Sequence, residues 1–583
     1  MSLSARRFLL VGTTAAVAAT LAALSIVLFR TGERTVLDVV LLGLFLLVMT
    51  WEALVVSQVG LGFLTFLRGR DGRTALELRA IEVEPVATGR SRTAIVIPVF
   101  DEDVGAVSAV VAVMRRSLRR LGPTGDVHVH VLSDSRDPAT AAAEETAVAE
   151  LNAEPGPAVL YRRRGDNPGR KAGNIAEFLR RTEGEYDFMI VMDADSLMSG
   201  AVMRKLIRLM EENERVALIQ TISFAANRMT LFARIQQFAV RLYAPLSLKG
   251  MSFWQGADGL YYGHNAIVRC APFLRHAQLP VLPGRPPLGG EILCHDVVEA
   301  ALLRRAGWEV RVLPDLEGTW EEMPTNVVDL LGRERRWCQG NLQHIRVLPF
   351  GGLTAGSRTH IAMGILSYLV GPIWWAFLGL GAVRAFGSDG TGLGILAYGA
   401  TEAGPAAATL FWFSVAYLLG PRIMNVARAF LATPERRGFG GSGRLVASVL
   451  LEQVFSILLT PLLSLITVRF VLSTFAGRVV GWNSQSRADR DVGWAEAFRV
   501  LWLNLAVGAV FAAAALHAGG WYALWMLPTI LGLLLGPFLI VWSSRLSTGM
   551  WARRWGLFLT VDESAPAPEL VEFREVLVAG QAA

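Results

Sequence analysis

Two aspartates separated by one residue are candidates for binding a metal ion. Asp193 and Asp195 directly follow the apolar run 188–192, whose composition predicts a buried strand. Carboxylate oxygens at the end of a strand suit Mg²⁺ or Mn²⁺, which proteins commonly hold with one or two carboxylates and substrate phosphates. Aspartate is also common in exposed turns, so this pair alone leaves a plain surface turn open as the alternative.

A second group of polar residues follows two further predicted strands. Asp134 comes after the apolar run 127–132, where its carboxylate can accept a hydrogen bond from the edge of a base. The alternative here is helix capping, and we expect Asp137, which precedes a proline, to be an N-cap. The basic residues after Tyr161 suit a diphosphate, and a solvated basic loop explains them equally well; they are Arg162, Arg163, Arg164, Arg170 and Lys171.

Two later motifs carry the remaining candidate residues. Asp296 follows His295 at the beginning of a helical pattern. It suits a general base held by local hydrogen bonds or, alternatively, a simple acidic residue favoured by the helix dipole. Arg336 and Trp337 form a pair that can bind a diphosphate through the guanidinium and stack a sugar ring on the indole. The alternative is a basic surface helix with its tryptophan at a membrane interface.

Residues 90–348 contain the elements that must position these groups. Short apolar runs alternate there with helical patterns: strands are predicted at 93–98, 127–132, 159–161 and 188–192, and helices at 104–121, 141–151 and 174–181. This alternation predicts an α/β domain with a mostly parallel sheet and crossover helices. Ligands bind beyond the carboxyl ends of the strands in such sheets, which is where the aspartates are predicted to lie.

The rest of the chain is far more apolar. Hydrophobic residues make up 52% of the 583 residues and charged residues only 18%, against about 25% charged in soluble domains. Apolar runs longer than about 18 residues predict membrane-spanning helices and exclude a fully soluble, disordered or fibrous protein. The net charge of +6 fits basic cytoplasmic loops better than nucleic-acid binding. Cys270, Cys294 and Cys338 predict neither a disulfide framework nor a zinc site.

The distribution of basic residues sets the predicted topology. After two apolar runs at 9–29 and 36–67, five more follow at 361–383, 406–419, 446–472, 500–517 and 524–542. If all five crossed, the basic loops 422–444 and 478–499 would lie on opposite sides, whereas the positive-inside rule favours both in the cytoplasm. We therefore expect 446–472, which contains Glu452 and Pro461, to be an interfacial or re-entrant segment, with a seventh span as the alternative.

The chain is thus predicted to have five parts. They are a transmembrane hairpin at 1–67, a linker at 68–90, a cytosolic α/β domain at 91–350, transmembrane helices at 351–543 and a cytosolic tail at 544–583. Within the fourth part, 446–472 is the interfacial segment and 473–497 is a cytosolic loop. Both chain termini then lie on the same side of the membrane as the α/β domain.

The motifs and their order resemble the processive family-2 glycosyltransferases, and within them the inner-membrane enzymes that make osmoregulated periplasmic glucans. The resemblance extends from about residue 90 to the C-terminus and is weaker over the first hairpin. It implies that the α/β domain is a GT-A-like glycosyltransferase domain. The stretches that carry it are IPVFDE at 97–102, LSDSRD at 132–137, RKAGN at 170–174, QGADGL at 255–260, GHNA at 263–266, His295–Asp296, RWCQGNLQH at 336–344 and GWNSQ at 481–485.

For the sugar donor, the resemblance implies a nucleotide site and a metal. Asp134 would bind the uracil of a UDP-sugar. Asp195 would ligate Mg²⁺ or Mn²⁺, and Asp193 would lie near the ribose and the metal. The other residues expected near the nucleotide are Phe100, Glu102 and Lys171.

For the acceptor, the resemblance implies that Asp296 is the general base. Arg336 would meet the diphosphate, and Trp337 would stack on the acceptor sugar. Two positions depart from the wider family. Arg333 stands where the family has glutamine, so the role of that glutamine in holding the acceptor is not carried over. His295–Asp296 stands where cellulose synthases have Thr-Glu-Asp.

The function that the resemblance implies is polymerisation of glucose from UDP-glucose into the β-glucan backbone of an osmoregulated periplasmic glucan, with inversion at the sugar. The enzyme would lie in the bacterial inner membrane with its catalytic domain in the cytoplasm, and it would export the chain. The loop 477–494 would close over the nucleotide, with an ordinary polar connector as the alternative. Trp374 and Trp375 would either line the channel or pack against lipid and protein.

The expected partners are UDP-glucose, the growing glucan, the lipid bilayer and periplasmic glucan-processing proteins, with no nucleic acid. Two other functions remain open from the sequence. A cellulose-like or hyaluronan-like synthase would keep the chemistry and change the product. A transporter with a regulatory nucleotide-binding domain would leave UDP-glucose unchanged, and paired intramembrane acids and bases would favour it.

Overall fold

The structure is a computed structural model that describes residues 1–29, 35–68, 91–122, 126–386, 404–481, 489–518 and 520–582. The predicted linker, apart from residue 68, lies outside the described residues. So do residues 482–485 of the GWNSQ motif. Two helices, α1 (Leu3–Phe29) and α2 (Val36–Leu67), form the predicted N-terminal hairpin.

A seven-stranded sheet forms the centre of the α/β domain. The described strands are β1 Arg92–Val99, β2 Asp126–Ser133, β3 Val159–Arg163, β4 Phe188–Val191, β5 Leu197–Met198, β6 Val216–Gln220, β7 Phe224–Ala225, β8 Ala266–Arg269, β9 Glu309–Val312 and β10 Thr319–Glu321. The large sheet has the order β3-β2-β1-β4-β8-β6-β9, and only β8 runs antiparallel to its neighbours. The predicted mostly parallel sheet is confirmed. A smaller sheet has the order β5-β10-β7.

Helices cover both faces of the large sheet, and the central strand β1 presents apolar side chains to both of them. Ile95 and Ile97 pack into a core with α3 (Val104–Arg120) and α6 (Gly200–Glu212), whereas Ala94 and Val96 pack on the other face with α5 (Arg170–Arg181) and α8 (Cys270–His276). Strands buried on both faces read as continuous apolar runs, which is why they were visible in the sequence. The helices of this domain are α3 Val104–Arg120, α4 Pro138–Ala153, α5 Arg170–Arg181, α6 Gly200–Glu212, α7 Leu231–Gln255, α8 Cys270–His276, α9 His295–Arg305 and α10 Val327–Gln343.

The basic residues after Tyr161 do not form the solvated loop that was the alternative from the sequence. Arg162 and Arg163 are the last two residues of β3, and Arg170 and Lys171 begin α5, four residues before its predicted start. Between them, the side chain of Arg164 is buried. The expected N-cap at Asp137 is confirmed, since its carboxylate accepts hydrogen bonds from the first backbone amides of α4.

The apolar remainder of the chain is helical. Among the described residues, five helices are long and apolar enough to cross a membrane, and a sixth span results if the pair bent by 53° at residue 535 is counted as one. The helices after the α/β domain are α11 Ala355–Phe386, α12 Gly404–Leu431, α13 Thr433–Gly438, α14 Ser442–Phe475, α15 Trp494–Ala518, α16 Gly520–Leu534 and α17 Gly536–Ser543. The chain is therefore a membrane protein.

The segment predicted to be interfacial or re-entrant is an unbroken helix. Helix α14 continues through Pro461 without an interruption, so it has no internal turn of the kind a re-entrant loop requires. It is one of the five helices that could cross by length and composition. Its interfacial position stays a prediction.

Two contacts attach the α/β domain to its flanking segments. Helix α2 crosses α7 at Gly62 and Gly250, where a methyl group built on Gly250 would lie 1.9 Å from the Gln58 carbonyl oxygen. The tail forms α18 Leu546–Arg554, α19 Val561–Ser564 and α20 Pro568–Ala582. Leu570 and Phe573 of α20 pack into the core beneath α3. The C-terminal tail therefore forms part of the packed core of the α/β domain.

Candidate active site

The Asp193–Asp195 pair lies immediately after β4, at the carboxyl end of the central strands. The ammonium group of Lys171, in the first turn of α5, forms an ion pair with the Asp193 carboxylate. The same group donates a hydrogen bond to the Gly263 carbonyl oxygen at 2.8 Å. Lys171 thus connects the end of β4 to the loop before β8. The sequence motifs that contain Lys171 and Asp193 therefore meet in space.

Asp134 is buried at the end of β2, and its partner was not identified from the sequence. Both of its carboxylate oxygens accept hydrogen bonds from the buried Arg164, one of them at 2.9 Å. Arg164 also donates to the Arg170 carbonyl oxygen at 2.8 Å and to Asn167 Oδ1 at 3.0 Å. Removing one member of such a buried ion pair is costly, because the other charge stays buried without a partner. The pair holds the turn that leads into α5 and Lys171.

Phe100 and Glu102 follow the end of β1, next to the end of β2. The backbone between them is fixed by Asp101, whose carboxylate accepts a hydrogen bond from the Arg136 amide at 2.9 Å. The Arg136 guanidinium lies 5.7 Å from the centre of the Phe100 ring. Glu102 lines a small cleft between α3 and α4. Both residues are half-buried on the same sheet edge as Asp134.

Two further residues beside the aspartate pair were missed as functional candidates. His264 Nε2 lies 3.5 Å from Glu321 Oε2. Burial lowers the pKa of His264, but the carboxylates of Asp193 and Glu321 outweigh burial and raise it. Burial raises the pKa of Glu321, and the nearby Asp195 adds to that rise. The GHNA motif contained the histidine, whereas Glu321 comes from the smaller sheet and had no signal in the sequence.

Asp193 and Asp195 by themselves provide only part of the ligand shell of a divalent cation. Within the described residues, no group of three histidine, cysteine, aspartate or glutamate side chains is arranged to hold a metal ion. Asp193 and Asp195 offer hard oxygen ligands, which suit Mg²⁺ or Mn²⁺ when other oxygens complete the shell. The donor set therefore fits a metal that is shared with substrate phosphates.

Asp296 lies on the other side of the loop that Lys171 contacts. It is the second residue of α9, so the predicted helix start is confirmed. Gly263 has φ +84°, and a methyl group built on it would lie 3.6 Å from Asp296 Oδ2. Its carbonyl oxygen binds Lys171, so one glycine separates the Lys171–Asp193 pair from Asp296. Preceding Asp296, His295 Nδ1 lies 2.9 Å from Glu299 Oε2.

Arg336 and Trp337 lie on α10, which also carries Arg333. The Trp337 side chain is 46% exposed, and the Arg333 guanidinium covers one face of its ring at 4.6 Å from the centroid. Arg333 is also close enough to Glu321 to act against the rise in the pKa of that carboxyl group. Arg336 is half-buried one turn further along the helix. Glu334 of the same helix accepts a hydrogen bond from the Tyr368 hydroxyl of α11 at 3.2 Å.

Comparison with known proteins identifies the family of this chain. The sequence pattern of glycosyl transferase family 2 matches residues 94–276, and that of glycosyl transferase family group 2 matches residues 188–386. The glucans biosynthesis glucosyltransferase H of Xylella fastidiosa (strain 9a5c) is 35% identical over 591 residues, which cover 100% of this chain and 92% of the relative. The chain belongs to the glucans biosynthesis glucosyltransferase H family.

Other relatives in this family are similarly close. The enzyme of the same name from Xanthomonas oryzae pv. oryzae (strain MAFF 311018) is 38% identical, with 98% of this chain and 89% of the relative covered. Among solved structures, the mannosyltransferase PcManGT from Pyrobaculum calidifontis, in complex with GDP-Man and Mn²⁺, matches with a TM-score of 0.42 and 14% identity, covering 66% of this chain and 99% of that one. The predicted family-2 glycosyltransferase of glucan biosynthesis is confirmed.

Proposed function

We propose that this glucosyltransferase polymerises glucose from UDP-glucose into a β-glucan. The observation that carries the proposal is the junction at Gly263. Its carbonyl oxygen binds Lys171, the partner of Asp193, and its Cα faces Asp296. A sugar bound at the carboxylates of β4 would therefore have a basic group on its far side. That arrangement suits one in-line displacement, which inverts the α-linked glucose of the donor to a β-linkage.

The donor would be bound by the residues at the sheet edge. Asp134 would contact the uracil through the lone pairs that its bond to Arg164 leaves free, with Phe100 and Glu102 alongside. Asp193 and Asp195 would hold Mg²⁺ or Mn²⁺. When bound, the metal would neutralise charge on the departing diphosphate. Lys171 and Arg336 would add positive charge at the same place.

Transfer would be completed from the side of the acceptor. Asp296 would accept the proton of the attacking sugar hydroxyl. The exposed face of Trp337 would stack on the acceptor sugar. Its other face is covered by Arg333, so only one face of the ring is open to a ligand. Arg333 would therefore orient Trp337 rather than take the place of the family's glutamine.

The direct test is incubation of the purified protein with labelled UDP-glucose and Mg²⁺ or Mn²⁺, followed by linkage analysis. We expect a β-glucan and its loss in excess chelator, restored by the added metal. Full activity in excess chelator contradicts the metal site. A product with only the β-1,4 linkages of cellulose would indicate a cellulose-like synthase instead. Incorporation from UDP-glucuronate and UDP-N-acetylglucosamine but not from UDP-glucose would indicate a hyaluronan-like synthase, and intact UDP-glucose would contradict the proposed glucosyl transfer.

We also propose that the catalytic domain lies in the cytoplasm at the bacterial inner membrane, with α14 along the surface of the membrane. Two contacts support this. Near the beginning of α14, Glu452 accepts a hydrogen bond from Tyr243 of α7 at 2.8 Å. Near its end, Val471 packs against Cys338 and Leu342 of α10. A helix that crossed the bilayer would touch the cytosolic domain at one end only.

Cysteine labelling tests this topology. Single cysteines in the basic loops 422–444 and 478–499 of a cysteine-free variant should both resist an impermeant thiol reagent in intact cells and react after the membrane is opened. Labelling of the 478–499 loop alone in intact cells would mean that α14 crosses.

The loop between α14 and α15 would close over the nucleotide. Both of its described ends are attached to α10, the helix of Arg336. The Val480 amide donates to Gln339 Oε1 at 2.9 Å, and Arg490 pairs with Asp329 at 2.8 Å. The GWNSQ motif lies between these two attachments. A connector with no role in catalysis would not need both ends fixed beside the site.

The glucan would leave through the helices that follow the domain. Trp375 is buried and donates to Ser464 Oγ of α14 at 3.1 Å, while Trp374 stacks on Phe377 with 5.2 Å between ring centres. These contacts favour packing over a channel lining for both tryptophans. Periplasmic glucan-processing proteins would receive the exported chain.

A further inference from the structure

A buried carboxylate outside the proposed site joins four parts of the molecule. Asp258 lies in the QGADGL stretch after α7 and is 4% exposed. Its side chain accepts hydrogen bonds from Arg7 of α1, from Arg304 Nε of α9 at 2.6 Å and from Thr354 Oγ1, directly before α11, at 3.1 Å. Its backbone oxygen accepts another from His360 Nε2 of α11 at 2.9 Å.

The membrane helices approach this carboxylate closely. A methyl group built on Gly356, in the first turn of α11, would lie 2.5 Å from Asp258 Oδ2. Arg7 also donates to the carbonyl oxygens of Trp254 and Gln255, each at 3.3 Å. The Trp254 indole in turn donates to Gln58 of α2 at 3.2 Å. Helices α1, α2 and α11 therefore all meet the corner of the chain that ends in Asp258.

Asp258 is connected to the proposed catalytic groups in two ways. Five residues after Asp258, the chain reaches Gly263, which contacts both Lys171 and Asp296. Arg304 lies in the last turn of α9, the helix that has Asp296 in its first turn. A shift of Asp258 would thus move the proposed base through its helix and through the loop beside it.

We propose that Asp258 is a positioning residue that fixes α9 and the loop 259–265 against α1 and α11, so that the membrane helices set the position of Asp296. This inference rests on the proposed function. The donor residues Asp134 and Arg164 make their contacts within the sheet edge and the turn before α5. Lys171 contacts the loop at Gly263 but is also held by its ion pair with Asp193. Loss of the Asp258 junction should therefore lower turnover much more than donor binding.

The test compares Arg7→Gln and Asp258→Asn in the full-length purified protein. We expect kcat to fall by about 10- to 100-fold in each, because small misplacements of a catalytic group have costs of that order. KM for UDP-glucose and the affinity for UDP should stay within about twofold. The double variant should be no slower than Asp258→Asn, because both changes break the same contact.

Two further variants make the result decisive. Arg6→Gln changes the neighbouring arginine, whose guanidinium lies over the Phe253 ring at 5.5 Å, and should keep wild-type turnover. Arg7→Lys keeps the charge and should recover part of the lost kcat. Because Asp258→Asn leaves two arginines without their shared partner, it can fail to fold, and Arg7→Gln then decides alone.

If Arg7→Gln has wild-type kcat, or raises KM without lowering kcat, Asp258 is a structural residue and the inference is wrong. Equal losses in Arg6→Gln and Arg7→Gln would also overturn it, since the effect would then belong to α1 in general. Failure of the wild-type protein to make polymer would contradict the proposed function instead, and the two failures are thereby distinguished.

Discussion

The donor half and the acceptor half of the candidate site are held in different ways. The donor half consists of residues at the sheet edge, and its ion pairs, Asp134–Arg164 and Lys171–Asp193, lie entirely within the α/β domain. The acceptor half is carried by α9 and α10. Both helices contact membrane segments, α10 through Glu334 and Tyr368 and α9 through Arg304 and the Asp258 junction.

This difference implies a division of labour. A nucleotide site built on a closed sheet edge can form without the membrane helices. An acceptor site built on helices that touch the membrane segments changes whenever those segments move. In an enzyme that must advance its product after each addition, these contacts would couple the acceptor half to the membrane helices, whereas the donor half would be held by the sheet edge alone.

The largest effect on the transfer rate is expected from a change at Asp296, in the acceptor half. Asp296→Asn keeps the size of the side chain and removes its basicity, so the transfer rate should fall by about 10²–10⁴-fold. The measurement is the initial rate of glucose incorporation at saturating donor and metal. Asp296→Glu, which restores a carboxylate, should recover part of the rate. A wild-type rate in Asp296→Asn would reduce this residue to a helix-end acid.

A smaller effect is expected at Arg333. Arg333→Gln removes the cation that covers Trp337 and restores the residue found in the wider family. A cation–π contact contributes about 1 kcal/mol, so transfer to short β-glucan oligosaccharides should need roughly fivefold more acceptor for half its maximal rate. The matched control is Arg335→Gln, an exposed arginine on the same helix. Equal effects of both variants would show a general loss of charge rather than an oriented indole.

The smallest effect is the pH dependence of the stability that His295, the first residue of α9, contributes. Burial lowers the pKa of His295, but Glu299 and Asp296 outweigh burial and raise it above its usual value of 6.5. The ion pair with Glu299 therefore stabilises the fold fully below about pH 6.5 and is lost as the pH rises through the raised pKa. His295→Gln should lower the melting temperature more at pH 6 than at pH 9. An equal difference at both values would exclude the ion pair.

Much of the donor half could be predicted from the sequence because its residues follow apolar strands. Parallel strands bring their carboxyl ends to one edge, so Asp134 after β2 and Asp193 after β4 lie on the same edge of the sheet, with β1 between them. The same logic places the end of β1 there, with Phe100. The partner of Asp134 was missed because burial of Arg164 depends on the turn before α5, and composition alone does not distinguish it from a solvated loop.

Glu321, beside the aspartate pair, and the contacts of the acceptor half were less accessible to prediction. Glu321 lies on a three-residue strand of the smaller sheet, too short to produce a pattern. The Asp258 junction joins residues 251 positions apart along the chain, from Arg7 to Asp258. Contacts of this kind depend on how helices pack after the sheet has formed, and no local periodicity records them. The QGADGL stretch is part of the family resemblance, but the resemblance implies no role for its aspartate.

The division between the two halves is tested most directly by UDP affinity, measured side by side by calorimetry in two variants of the full-length protein. In Asp134→Asn, the proposed uracil contact and the bond to Arg164 would both be weakened, and we predict at least about a tenfold loss of affinity, as expected for a charged hydrogen bond. In Asp296→Asn, the donor residues are untouched, and we predict wild-type affinity. If Asp296→Asn also loses UDP affinity, the two halves are one unit and the account is wrong.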